Sequence, residues 1–452
     1  MEAIGGEHQR QVTAVRKVAL ASMVGNATEW YDYFIYGTAS ALVFAQLFFP
    51  GQDPAIGTLL AFATFGVTFL VRPLGALTFG HFGDRIGRKT MLVFSILIMG
   101  LGTFLIGCLP TYESIGIWAP VLLVLLRCFQ GFAVGGEYGG AVTMTMEYAP
   151  PGRRGFYTAI PAAGLSLGLL LATAVFYSFT LLPEEQFLAW GWRIPFLLSA
   201  VLVVIGLYIR LRLVESPVFR RAQEQTRARA QEVSAPLVQI MRNYKKVMLL
   251  VFLIPTAVNV SFYIASAWSI SYITTEVGVS TATVLTAVMI AAAADFCSQL
   301  FFGHLSDKFG RRPVYIAGSV IIGLAAFPFF WLVNTGSPVL IFLAMILLIS
   351  IGHGATYSVQ ATFFSELFGT GVRYSGLSLG YHIGAAITSG PGPFVAAALL
   401  AWTGGTTAIA GLIILAAVIS VIATLMASET YKIDLEEDLV SSNVERTSSV
   451  RP

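Results

Sequence analysis

Twelve apolar stretches, each long enough to cross a bilayer, constrain this chain more than anything else in it. A hydrocarbon core of about 30 Å takes about 20 consecutive apolar residues as a helix, and only helices or closed barrels satisfy their backbones in such a medium. Windows of that kind lie near 18–47, 55–80, 90–109, 117–146, 156–180, 190–210, 247–274, 280–303, 313–333, 338–365, 374–401 and 405–427. Composition agrees: 56% of the 452 residues are apolar and 11% are charged, against about 25% charged in soluble domains. The expected fold is an all-α membrane protein of twelve transmembrane helices in a lipid bilayer.

Charge placement orients the spans. Of the 27 Lys and Arg, 24 fall in the N-terminal tail, in the connections that follow even-numbered spans, and in the C-terminal tail. Positive residues collect in cytoplasmic loops, so both termini are expected in the cytoplasm of a multi-pass cell-membrane protein. The first apolar run is too long for a cleaved signal and carries Glu29 and Asp32. Cys108, Cys128 and Cys297 stand singly in spans, a pattern for packing rather than a disulfide framework. The polar stretch 210–246, with nine Lys or Arg against three Glu, divides the chain. It is expected as a basic cytoplasmic linker between a six-helix bundle at 1–209 and another at 247–427, with a cytoplasmic tail at 428–452.

The two halves repeat. GHFGDRIGRK at Gly80–Lys89 returns as GHLSDKFGRR at Gly303–Arg312, an offset of 223, and Glu147 with Arg154 returns as Glu366 with Arg373, an offset of 219. Each copy follows the second or the fourth span of its half, so the repeats run parallel, as in carriers whose halves are related by an axis along the membrane normal.

The pattern of Gly80, Asp84, Arg85, Gly87, Arg88 and Lys89 resembles the signature loop of the major facilitator superfamily, and R-x-x-Q-G at Arg127, Gln130 and Gly131 is similar to its helix 4 motif. Within it, EWYDYFIYG, RCFQGFAVGGEYGGA, GWRIPFLLS and ESPVF look like the metabolite:proton symporter group. EQFLAWGWRIPFLLS and RYSGLSLGY look most similar to shikimate permeases. The resemblance implies two pseudo-symmetric six-helix bundles and transport by alternating access. Asp84, Arg85, Arg88, Glu147, Arg154, Asp307, Arg311, Arg312, Glu366 and Arg373 are then expected at a cytoplasmic gate, with Gly80 allowing close helix approach.

Charges inside spans are functional candidates by default and should pair. Asp32 lies roughly 21 Å from the inner end of the first helix and Arg127 roughly 15 Å from the outer end of the fourth. Both are near mid-membrane. The superfamily's sugar:proton symporters pair an Asp and an Arg at matching positions, which implies Asp32 and Arg127 as the coupling pair. An opposite charge favours ionisation of a carboxyl and a dry site opposes it, so a carboxyl that trades its Arg for a proton would link proton and substrate movement. Glu29 and Glu137 stand in reserve, and Glu29, Arg72 and Glu137 form either a second charge cluster or a static network. The offset also carries Arg72 onto Asp295. The two are expected either to meet near the cytoplasmic mouth or to make separate contacts, Asp295 then within its own bundle.

The substrate cavity is expected between the bundles, lined by Arg72, Arg127, Tyr31, Tyr36, Gln130, Asn259, Tyr263, Gln299, His353, Tyr357, Gln360, Tyr381 and His382. Guanidinium groups suit a carboxylate, and amides and phenols suit hydroxyls. A small organic acid such as shikimate, carried with protons, is the leading expectation; 2-oxoglutarate or citrate, proline or betaine, and a nutrient sensor on a transporter fold are the alternatives. The fifth span lacks the G-P-x-x-G-G pattern of drug:proton antiporters, which favours symport. Phosphate loops and metal-ligand spacings are missing from the sequence. No enzyme activity, cofactor, metal or nucleic-acid partner is expected, and a monomer is.

Overall fold

Each apolar window holds a helix among the described residues, because that is how an apolar run satisfies its own backbone without water. The computed structural model describes residues 2–86, 88–135, 145–146, 148–150, 152–212, 244–368 and 373–432. Most of the expected linker and tail, with Glu137 and Glu147, lies outside the described residues. For Gly80, Asp84, Arg85, Arg88 and Arg373 only the backbone is described.

The long helices are α1 (Glu2–Leu42), α2 (Pro54–Ile86), α3 (Arg88–Cys108), α4 (Trp118–Val134), α5 (Arg154–Thr180), α6 (Ile194–Arg212), α7 (Lys245–Thr275), α8 (Thr281–Phe309), α9 (Arg311–Val333), α10 (Pro338–Glu366), α11 (Gly376–Thr403) and α12 (Thr407–Met426). Among the described residues, nine helices are long and apolar enough to cross a membrane by length and composition, and Val93–Cys108 and Trp118–Val134 are shorter apolar helices. Large apolar side chains such as Leu70, Leu101, Leu324 and Trp331 are exposed on their outer faces, where a bilayer serves as solvent. One expectation needs correction. The repeated motif is barely a loop, since α2 runs helical through Ile86 and α8 through Phe309. Gly310, at φ +101°, makes the second turn alone, in a conformation that glycine adopts without strain.

Packing repeats as the sequence does. α1 packs on α5 as α7 packs on α11; α2 meets α4 as α8 meets α10; α3 meets α6 as α9 meets α12. Between the halves α2 lies against α11 and α5 against α8, an equivalent pair of contacts, while α1 crosses α7. Tyr33 and Phe34 of α1 meet Tyr263 and Phe262 of α7, ring centroids 5.7 and 5.9 Å apart. Aromatic side chains thus fill the middle of the molecule.

Candidate functional site

Glycines bring α2 and α4 together backbone to backbone. A Cβ on Gly131 would lie 2.2 Å from the Thr68 carbonyl oxygen, and one on Gly135 2.2 Å from that of Arg72. The close approach sets two arginines side by side in the dry interior. The Arg127 guanidinium lies 3.7 Å above the centre of the Tyr36 ring and donates to Gln130 Oε1 at 2.9 Å and to the Phe65 carbonyl at 3.4 Å. The Arg72 guanidinium lies over Phe69 at 4.2 Å and Tyr33 at 5.2 Å.

These groups face a cavity within the N-terminal half, which also takes in Glu29, Asp32, Thr68 and Gln130. Asp32 is buried, and neither of its carboxyl oxygens has a hydrogen-bond partner. Thr103 is close by but satisfies it poorly: its one hydroxyl proton goes to the Met99 carbonyl at 3.0 Å, and its oxygen accepts from Gln130 Nε2 at 2.7 Å. The expected contact between Asp32 and Arg127 is therefore not an ion pair in this arrangement, because Arg127 is held by Gln130 and Phe65. Tyr33 Oη, Thr68 Oγ1, Arg72 Nε and Arg127 Nε likewise lack partners. Buried polar atoms are nearly always bonded, so several unbonded ones around one cavity make it the candidate site.

The other candidates divide. Tyr31 turns away and donates to the Pro195 carbonyl of α6 at 2.9 Å; it packs rather than lines the cavity. Tyr36 donates to Thr64 Oγ1 at 2.6 Å, and Asn259 to Thr388 Oγ1 at 2.9 Å. Tyr263 joins the aromatic layer against Phe65, Phe69 and Tyr33. Tyr381 bonds to Tyr357 and neighbours His382 on α11, and the Arg72 charge reaches both. Gln360 accepts from Tyr315 Oη at 3.3 Å. Gln299 and His353 belong to a separate network: Asp295 Oδ2 accepts from Ser166 at 2.6 Å and Gln299 Nε2 at 2.9 Å, and lies 3.0 Å from His353 Nδ1. A meeting of Arg72 with Asp295 is thereby excluded for this arrangement. Asp295 does bond across the halves, but to Ser166.

Near the far ends of α5 and α8 the halves are latched. Asp307 accepts from the backbone amides of Gly155 and Phe156 at 2.8 and 2.9 Å, where a helix N-terminus favours an anion. Arg311 binds Asp307 at 2.8 Å and Glu366 at 3.3 Å. Glu366 also accepts from Thr430 at 2.7 Å, and Glu429 accepts from the amides of Arg311 and Arg312. Arg154 is half-buried at the start of α5.

Tyr33, Thr68, Thr103 and Ser166 were not anticipated from the sequence. Helical spacing signals the first: Tyr33 stands four residues after Glu29 and three before Tyr36, on one face, whereas Tyr31 falls on the opposite one. Small hydroxyls carry no such signal, being frequent in spans as packing residues.

The sequence profile of the Major Facilitator Superfamily matches residues 23–389 and 261–436. The chain is 41% identical over 395 residues to the shikimate transporter of Escherichia coli K12, covering 87% of this chain and 90% of that one. It is 40% identical to the inner membrane metabolite transport protein YhjE of the same organism, covering 86% and 90%. To the glycine betaine/proline/ectoine/pipecolic acid transporter OusA of Dickeya dadantii it is again 40% identical, covering 85% and 78%. Among solved structures, the proton:xylose symporter XylE bound to 6-bromo-6-deoxy-D-glucose superposes with a TM-score of 0.73 at 17% identity, covering 95% of this chain and 99% of that one. The repeated packing, the charged cavity and these relatives together establish the chain as a member of the major facilitator superfamily, a multi-pass membrane transporter of metabolites.

Proposed function

We infer that this transporter is a symporter that imports a small organic acid with protons, with shikimate or a similar hydroxylated carboxylate as substrate. The observation that carries the reading is the set of unpartnered polar atoms on Asp32, Tyr33, Thr68, Arg72 and Arg127 around one buried cavity. Guanidinium groups bind the carboxylate, hydroxyls and the Gln130 amide meet substrate hydroxyls, and Asp32 exchanges a proton for the charge of Arg127 as the halves rock. The likeness to a shikimate transporter supports the substrate. Proline or betaine is a second reading, supported by the likeness to OusA. A quaternary ammonium needs free aromatic faces, and here Arg72 and Arg127 already lie over Phe69, Tyr33 and Tyr36. The acid is therefore preferred. Charge placement supports cytoplasmic termini, so import runs toward the side that carries the Asp307 latch.

Uptake of labelled shikimate into proteoliposomes under an inward proton gradient, with and without a protonophore, tests this. Accumulation that Asp32→Asn abolishes while counterflow exchange continues is the expected result. Absence of any shikimate uptake overturns the substrate, and accumulation that survives Asp32→Asn moves coupling to Glu29 or Glu137.

A further inference from the structure

Asp295 is fully enclosed in the C-terminal half, with no solvent exposure. Its two oxygens differ. Oδ2 takes the Ser166 hydroxyl at 2.6 Å, the Gln299 amide at 2.9 Å and the His353 ring nitrogen Nδ1 at 3.0 Å, while Oδ1 has no partner. His353 closes a segment of π-helix, Ile346–His353, and stacks on Phe262 at 4.0 Å and on Tyr357 at 4.8 Å. Such π segments collect at functional sites, because they spend regular hydrogen bonding to aim a side chain.

We propose that Asp295 with His353 is a second proton-binding site of this carrier, in the C-terminal half, completed by Ser166 from the N-terminal half. Ser166 and Gln299 donate to Oδ2 and the His353 ring nitrogen lies against the same oxygen, all from neutral side chains, so Oδ1 is the position left open. One further proton binds at Oδ1, the oxygen left open, and neutralises the cluster; on release it returns to water. Hydrogen bonds to a carboxylate stabilise its charged form. The Ser166 bond spans the halves, so contact between α5 and α8 and the charge on Asp295 rise and fall together. Of the elements packed on α8, α5 brings no titratable side chain within two turns of Ser166, and α10 brings His353 and Tyr357. Tyr381 lies beyond Tyr357, bonded to it, and Tyr263 follows Phe262 on α7. His304, Asp307 and Lys308 stand two and a half turns or more along α8 itself, and α9, which also packs on α8, brings the buried Tyr315. Among the described residues no arginine or lysine is bonded to the pair, which separates it from the Asp32 cavity with its two guanidiniums. The meaning of the site for transport rests on the symport reading above; its existence does not.

The test is pH-difference infrared spectroscopy of the full-length carrier in lipid bilayers, with neither substrate nor gradient. The wild-type protein is expected to show a protonated-carboxyl band that titrates, disappears in Asp295→Asn and persists in Asp32→Asn. Ser166→Ala, a change too small to threaten folding, is expected to move the midpoint of that band by roughly half a pH unit or more, the equivalent of one lost hydrogen bond. A spectrum indifferent to Asp295→Asn, or a midpoint indifferent to Ser166→Ala, overturns the proposal. Failure of gradient-driven shikimate uptake with the band intact overturns the symport reading instead.

Discussion

At the scale of single residues, the difference between Tyr31 and Arg127 is the difference between holding the bundle and working in it. The Tyr31 hydroxyl reaches only the Pro195 carbonyl, so Tyr31→Phe is expected to cost about 1 kcal/mol of stability, the net worth of a buried hydrogen bond, and to leave the KM for substrate unchanged. Thermal unfolding in detergent and uptake kinetics measure the two separately, and a raised KM would return Tyr31 to the binding site. Arg127 stacks a planar guanidinium on Tyr36 while forking to Gln130 and Phe65. Lysine keeps the charge and loses the plane and the fork. Arg127→Lys is thus expected to lower gradient-driven uptake about tenfold or more with the protein still folded in the membrane, and uptake at the wild-type rate would show that charge alone suffices. Both arginines and Asp32 were legible in the sequence, because a charge inside an apolar span is costly and stands out. Tyr31 was named for the cavity and Tyr33 passed over, because residue type ranks them equally and only the turn of the helix tells them apart.

At the scale of elements, the close contact of α2 with α4 places both guanidiniums. A Cβ on Gly131 would fall 2.2 Å from a backbone oxygen that has nowhere to go, so Gly131→Ala is expected to cost about 1–3 kcal/mol, as overpacking does, and to lower the yield of folded carrier. Gly411 on α12 has nothing within 4 Å of its Cβ position, and Gly411→Ala is expected to be neutral or to stabilise by up to about 1 kcal/mol. Melting curves of the two variants beside wild type decide this, and equal melting temperatures would mean that α2 and α4 can separate freely. The helices themselves followed from the apolar windows; their ends did not. The motif reads as a loop for its Gly and charges, yet α2 stays helical as far as Ile86 and α8 as far as Phe309, because a membrane helix satisfies its backbone best by continuing, in α8 to the last residue before the Gly310 turn.

At the scale of the whole molecule, duplication was legible and the contacts it generates were half legible. Arg72 and Asp295 occupy equivalent positions, 223 residues apart, and that equivalence is why they do not meet. A pseudo-twofold relation sends α2 against α11 and α8 against α5, so equivalent residues away from the axis lie on opposite faces. The α5–α8 seam carries both the Ser166–Asp295 bond and the Asp307 latch, and the latch should hold the seam shut. Asp307 takes two amides at the start of α5 and an arginine that also binds Glu366. An asparagine there keeps the shape, but it loses the charge and one of the acceptors. Thr158, one turn further along α5 and fully buried against Thr362 of α10, beside the seam, is the place to read the effect. In a Thr158→Cys background, adding Asp307→Asn is expected to speed labelling by a water-soluble thiol reagent about tenfold, which corresponds to about 1.4 kcal/mol of lost closure. Equal labelling rates would mean that packing between α5 and α8, at Gly155 and Gly303, closes the seam without the latch, and that the charges there serve the fold of the C-terminal half alone.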